Sequence, residues 1–254
     1  MSDHDHLAHD VLTASRGRSG AEQAPGGRPT FESCVERLAT AIRLGVYPYG
    51  STLPPERELA GLLGVSRATV REAIAALREA GMVTTTRGRG GGSVVDHEPP
   101  TPGSSPGDPS DATARRRPEL LDALVFRRVV EPGACFVAST AGRSATDLDE
   151  LRAAHERVRS AQNPAEHRQA DSRLHLALAS LTGSAYLVDA VTQVQAAVHE
   201  MLLTIPVLPV NIEHSSAQHA EIVAAVEARE PERARRAMEE HCDDTAALLR
   251  GLLR

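Results

Sequence analysis

Hydrophobic positions along this chain follow two spacings, and the places where the spacing changes mark out its parts. From Phe31 the pattern is helical: Val35, Leu38, Ala39 and Ile42 recur three or four apart, with Gly45 as the expected stop. Leu59, Leu62 and Leu63 form a second apolar face. Pro55 suits the first turn of that helix, and Gly64 supplies the left-handed residue that ends it. A third helix buries Val70, Ile74 and Leu77, with Ser66 as its N-cap and Gly81 as its end. Residues 82–86 and 93–95 are two short β-prone runs around the tip Arg87-Gly88-Arg89-Gly90-Gly91-Gly92, which predicts a hairpin. From Pro118 onward the apolar positions return to helical phase and never alternate. Six helices are expected, at about 118–142, 146–161, 164–182, 184–204, 212–229 and 231–253.

The fold class that follows is mainly α. A winged helix-turn-helix over 30–96, made of three helices and a β-hairpin wing, precedes an all-helical bundle over 118–254. Two segments lie outside both. Residues 1–29 are polar, with scattered His4, His6 and His9, and are expected to be a disordered tail. Residues 97–117, rich in Pro, Gly, Ser and Asp, are expected to be a linker.

Composition narrows the possibilities. A chain of 254 residues with 41 % hydrophobic positions suits two ordinary cores. No apolar run reaches membrane-spanning length, and no apolar block near Met1 makes a secretory leader. Cys34, Cys135 and Cys242 are far apart with no Cys-x-x-Cys pair, as expected of reduced thiols in a cytoplasm. The net charge of −6 would argue against a nucleic-acid partner if it were uniform. It is not: residues 31–95 hold eight Arg against six Glu, and the remainder holds 20 Arg against 28 acids. The front is mildly basic and the bulk is acidic.

That front carries recognisable chemistry. Arg67, Ala68 and Arg71 fall on the face of the third helix opposite its core residues and near its N-terminus. In a helix-turn-helix those positions meet base edges, and Arg suits guanine through paired hydrogen bonds. Glycines let the wing tip approach a strand closely, and Arg87 and Arg89 suit phosphate or a minor groove. The two features in this order point to double-stranded DNA. The motif Leu53-Pro54-Pro55-Glu56-Arg57-Glu58-Leu59-Ala60, then Gly64-Val65-Ser66-Arg67, then Val70-Arg71-Glu72-Ala73 and a glycine-rich wing, resembles the GntR-family DNA-binding domain, with Pro55 where that family usually has Ser. The resemblance implies that Arg57, Arg67 and Arg71 contact DNA, that Ser66 and Thr69 meet phosphate, and that Gly88 sits at the wing tip. Glu56, Glu58 and Glu72 would orient the arginines or the fold.

The rear half carries a second constellation. Asp171 and His175 are four apart and share a helix face flanked by Leu174, Leu178 and Leu181. His219 lies in line with Ile222, Val223 and Val226, and His241 with Ala234, Met238 and Leu248. One carboxylate and three imidazoles facing an apolar interior need partners, and a divalent ion would satisfy them together. This donor set suits zinc, nickel, iron or manganese, zinc foremost. Thr192, Gln195 and His199 share one helix and are expected to line a pocket there. His155, His167 and His214 are expected at the surface. The order Asp-x-x-x-His, His, His over about 118–254 resembles the FCD sensor domain of the FadR subfamily. The resemblance implies that Asp171, His175, His219 and His241 ligate a metal and that a small carboxylic acid binds against it. It also implies that Arg127, four residues before Glu131, pairs with the effector carboxylate, with Arg128 as the alternative.

The expected function is a cytoplasmic, non-enzymatic DNA-binding regulator, a repressor acting as a homodimer on an operator and modulated by a small carboxylate. Two rivals stay open: a repressor that senses the metal alone, and a metal-dependent hydrolase fused to a DNA-binding domain.

Overall fold

The computed structural model of the protein describes residues 30–43, 46–85, 92–97 and 109–252, with side chains omitted for 109–116. The tail over 1–29, the expected helix stop Gly45, most of the linker and the wing-tip residues Arg87, Gly88 and Arg89 lie outside the described residues. Contacts divide the chain into two units, Met1–Asp111 with Ala247–Arg254, and Ala112–Ala246.

The first unit holds α1 (Phe31–Arg43), α2 (Glu56–Leu63), α3 (Arg67–Glu79), β1 (Val83–Thr85) and β2 (Ser93–Val95). The residues that the periodicity points inward form its core, with Val35, Leu38, Leu59, Leu63, Val70 and Leu77 fully buried. Between α2 and α3, Gly64 takes φ 71°, a conformation costly for any residue with a Cβ. Ser66 then caps α3, its side chain accepting from the backbone N–H of Thr69 at 3.0 Å. Pro55 stands one position earlier than expected, at the N-cap of α2. The hairpin pairs β1 and β2 antiparallel, Val83 opposite Val95 and Thr85 opposite Ser93. It has a third participant that alternation did not reveal. Thr52 bridges Val94, Leu53 N–H donates to the Ser93 carbonyl, and Val95 N–H to that of Ser51. A Cβ on Gly92 would come within 2.8 Å of Thr52 Cγ2, so a larger residue there would have to displace that side chain.

The second unit is all helical. It holds most of α4 (Pro109–Thr140), then α5 (Ala145–Ser160), α6 (Pro164–Ser180), α7 (Ala185–Leu202), α8 (Pro209–Glu227) and most of α9 (Pro231–Leu252). Helix α4 begins at Pro109 rather than near 118, so the expected linker is shortened at its C-terminal end. Ala112, Ala114 and Arg115 to Arg117 are good helix formers, and they continue the helix through Pro118. The next three helices have side-chain caps where they start. Ser144 and Asp147 form a capping box for α5, Asn163 caps α6 with Pro164 in its first turn, and Ser184 caps α7. Leu151, Leu174, Leu178, Ile222, Val226 and Met238 lie at the centre of the core. Among the described residues no helix is long and apolar enough to cross a membrane.

Helix α9 is continuous but its last residues, from Ala247, belong with the first unit. There Arg250 pairs with Glu36 at 2.6 Å, and Arg43 donates to the carbonyls of Arg250 and Gly251 at 2.9 and 2.6 Å. These are carbonyls a helix C-terminus leaves without intrahelical partners, and a guanidinium is well suited to them.

Candidate DNA-reading face and buried histidine site

Of the residues expected to contact DNA, Arg57, Ser66, Arg67 and Arg71 are exposed and Thr69 is half-buried. Arg57 lies on the first turn of α2, and Arg67 is the first residue of α3. Arg71, one turn further, reaches across to Glu56 and forms a two-pronged pair, Nη2 to Oε2 at 3.0 Å and Nε to Oε1 at 3.2 Å. Glu56, the residue before Arg57, thus holds the Arg71 guanidinium in place. Both groups are solvated, so the pair positions more than it stabilises. Ser66 and Thr69 share a hydroxyl contact of 2.9 Å.

The second site lies inside the helical unit. His175 on α6, His219 on α8 and His241 on α9 are each 2 % exposed or less, and their rings meet. Ring centroids are 5.5 Å apart for His175 and His219, 5.2 Å for His175 and His241, and 4.6 Å for His219 and His241. One ligand atom from each lies within 4.8 Å of the others. Asp171, one turn before His175, puts Oδ1 3.4 Å from His219 Nε2. The four residues singled out in the sequence thus come together, three as a compact cluster and Asp171 through His219.

The nitrogens are under-satisfied. His175 Nε2, both nitrogens of His219 and His241 Nε2 are buried without a hydrogen-bond partner. Burial pushes the His219 imidazole down to about 3, despite Asp171 pulling the other way. Burial, with His219 and Arg127 nearby, holds His241 well below the ordinary histidine value. Buried imidazole nitrogens without partners beside a carboxylate are the donor set of a divalent ion, so the residues fit the metal that the resemblance implies.

Glu131, which entered only as a spacing mark after Arg127, is the hub of the site. Its Oε2 lies 3.0 Å from Arg127 Nε and 2.8 Å from His175 Nδ1, and its Oε1 accepts from Gln195 Nε2 at 2.6 Å. Burial alone would raise its pKa, yet Arg127 and His175 hold the carboxyl well below the usual range. Burial works against the charge of Arg127, and Glu131 restores it, so the guanidinium stays protonated. Arg127 is thus committed through Nε, while its Nη1 is buried with no partner, as is Gln195 Oε1. An idle donor and an idle acceptor stand on either side of Glu131. The local helix helps: Pro132 has no N–H for the Arg128 carbonyl, so α4 loses a rung beside Glu131.

The remaining candidates separate. Arg128 points away from this site and pairs with Asp243 and Glu239 at 2.7 and 3.2 Å. His199 is half-buried one turn beyond Gln195, and Thr192 is exposed, its hydroxyl donating to the Val188 carbonyl. His155, His167 and His214 are half-buried rather than fully exposed. The only signal in the sequence for Glu131 was its i+4 spacing from Arg127.

Comparison with known proteins places both halves. Residues 30–92 match the model of the bacterial regulatory proteins of the gntR family, and residues 122–244 match the FCD domain. The HTH-type transcriptional regulator RmpR of Mycobacterium gastri is 32 % identical over 217 residues, which is 83 % of this chain and 76 % of that protein. The Glc operon transcriptional activator of Escherichia coli K12 is 30 % identical over 226 residues, covering 84 % and 86 % respectively. A solved Streptococcus agalactiae GntR structure covers 85 % of this chain and 98 % of its own at 23 % identity, with a TM-score of 0.43.

Proposed function

The chain belongs to the GntR family of DNA-binding transcriptional regulators and carries an FCD domain, and from that premise we propose that its DNA affinity is set by a small carboxylate bound beside a divalent metal in the helical unit. The observation that carries the proposal is the set of idle groups. Buried nitrogens of three converging histidines adjoin a carboxylate, and unpartnered Arg127 Nη1 and Gln195 Oε1 lie across Glu131 from them. His175, His219, His241 and Asp171 would hold the ion, most fittingly zinc, with nickel, iron or manganese as alternatives. The ion would supply a positive centre for one end of a carboxylate. Arg127 Nη1 would donate to it, and Gln195 Oε1 would accept from a hydroxyl on the same ligand.

On this reading the protein works in the cytoplasm as a homodimer on a two-part operator and has no catalytic role. The sign we favour is repression relieved by ligand, although one matched relative is named as an activator. Exposed Val125, Phe126 and Val129 on α4, at 65 %, 47 % and 70 %, form an apolar patch that supports association of two copies. The coupling route on this reading would be the backbone of α9, which carries His241 at its middle and Arg250 and Gly251 near its C-terminus. A coupling of about 1–3 kcal/mol suffices for a useful switch.

The test joins elemental analysis to a thermal-shift screen of small hydroxy- and dicarboxylic acids, followed by operator titration with any acid that scores. The expected result is about one metal ion per chain and an acid that changes operator affinity only in the metal-loaded protein. If metal alone moves operator affinity and no acid does, the metal-sensing alternative replaces this one. Turnover of the acid would favour the hydrolase.

A further inference from the structure

The second nitrogen of His241 has a neutral partner, and that partner is itself held. His241 Nδ1 lies 3.0 Å from Gln218 Oε1, and Gln218 Nε2 donates to Asp244 Oδ2 at 2.8 Å. Gln218 immediately precedes His219 on α8, and Asp244 sits one turn after His241 on α9. The three residues form a chain that leads outward from the buried ring to Asp244, whose side chain is 16 % exposed, with His214 Nε2 3.8 Å beyond.

The polarity of this chain is set by chemistry. A carboxylate only accepts, so the amide of Gln218 must turn its NH2 toward Asp244. Its oxygen then faces His241, and an oxygen can be met there only by a ring N–H. The proton of His241 is therefore on Nδ1, and Nε2, buried and without a partner, keeps its lone pair. Were the amide reversed, Nδ1 would accept and Nε2 would carry the proton, closing the very nitrogen that a metal needs. We propose that Asp244, acting through Gln218, fixes His241 in the Nδ1–H tautomer and so keeps its Nε2 open as a ligand. Neither residue touches the ion; both are positioning residues.

The tautomer is a property of the protein without metal and can be tested there, although its consequence for affinity rests on the metal reading above. In the metal-free full-length chain labelled with 15N-histidine, long-range proton–nitrogen correlation spectra distinguish the two tautomers. The His241→Gln variant assigns the signal. The parent is expected to show His241 protonated at Nδ1. Asp244→Asn has nearly the same shape, but its NH2 can donate to the Gln218 oxygen. Gln218 can then turn its own NH2 to His241, and the Nε2–H form is expected to grow. Gln218→Met should do likewise by removing the acceptor. Adding Gln218→Glu to Asp244→Asn restores an acceptor, to which the new amide at position 244 can donate, and should return the Nδ1–H form. Cobalt(II) titrations of the same variants, followed by visible absorption against a competing chelator, should show affinity falling by about 10- to 100-fold in the two single variants and recovering in the double. An Nε2–H tautomer in the parent, or an Asp244→Asn variant with unchanged tautomer, overturns the proposal. A parent that takes up no cobalt while the tautomer shifts as expected overturns the metal reading and leaves the relay standing.

Discussion

Water withdrawn from an imidazolium is hard to replace, and three imidazoles share one dry site here. The consequence appears in the acid range. Burial lowers the folded-state values of His219, from 6.5 to about 3, and of His241. Below about pH 6.5 the unfolded chain therefore takes up protons that the folded chain refuses. Stability is fully present above that value and is lost as pH falls, with a slope approaching about 1.4 kcal/mol per pH unit for each histidine. The metal-free protein should show a melting temperature that drops steadily between pH 7.5 and 5, and the slope should lessen in His219→Gln. A flat profile would mean that these rings are hydrated and not buried. Glu131 makes a second prediction at the same scale. It is the anion that allows Arg127 to stay charged at 1 % exposure. Glu131→Ala should cost about 3–5 kcal/mol in chemical denaturation, because it leaves an uncompensated buried charge. Arg127 and Glu131 replaced together by Met and Leu should cost far less.

At the level of elements, α3 shows how local rules place a functional face. Ser66 caps it, Gly64 lets the chain turn into it, and the core residues Val70, Ile74 and Leu77 fix its rotation. With that rotation settled, Arg67 and Arg71 have only the outer face left. Arg67→Ala should weaken operator binding by about 1–3 kcal/mol and relax base preference at one position, as judged by competition between operator variants. Equal loss on every sequence would instead make Arg67 a phosphate contact. The end of α9 makes a tighter demand. A Cβ on Gly251 would come within 2.9 Å of the Glu36 Cα, and backbone cannot move aside as a side chain can. Gly251→Ala is expected to destabilise by about 1–3 kcal/mol, as overpacking does, and to blunt any effect of metal on operator affinity. Retained coupling in that variant would place the signal elsewhere than α9.

For the whole molecule, the uneven charge gives a usable expectation. A mildly basic front on an acidic chain would make few phosphate contacts, so operator affinity should fall with salt yet survive at moderate ionic strength. Two copies would double that footprint. Val129→Glu, placed in the exposed patch of α4, should shift sedimentation toward a monomer and weaken binding to a two-part operator more than to a single half-site. An unchanged sedimentation profile would move the association surface to another face.

Periodicity along the chain determined the helices, because each buries one stripe and the stripe recurs in the sequence itself. It likewise determined the reader's exposed arginines and the inward aim of Asp171, His175, His219 and His241, since rotation about a helix axis is a local property. The start of α4 at Pro109 escaped it, because Pro, Ser and Asp are as frequent in first turns as in linkers. What the chain could not disclose is which buried stripes face one another. Glu131 as the hub, Gln218 and Asp244 behind His241, the divergence of Arg128 from Arg127, and Ser51 to Leu53 joining the wing all depend on partners far away in sequence. A single polar side chain on a helix looks the same whether solvent or a distant ring awaits it, and only the packing of α4, α6, α7, α8 and α9 around one centre decided between them.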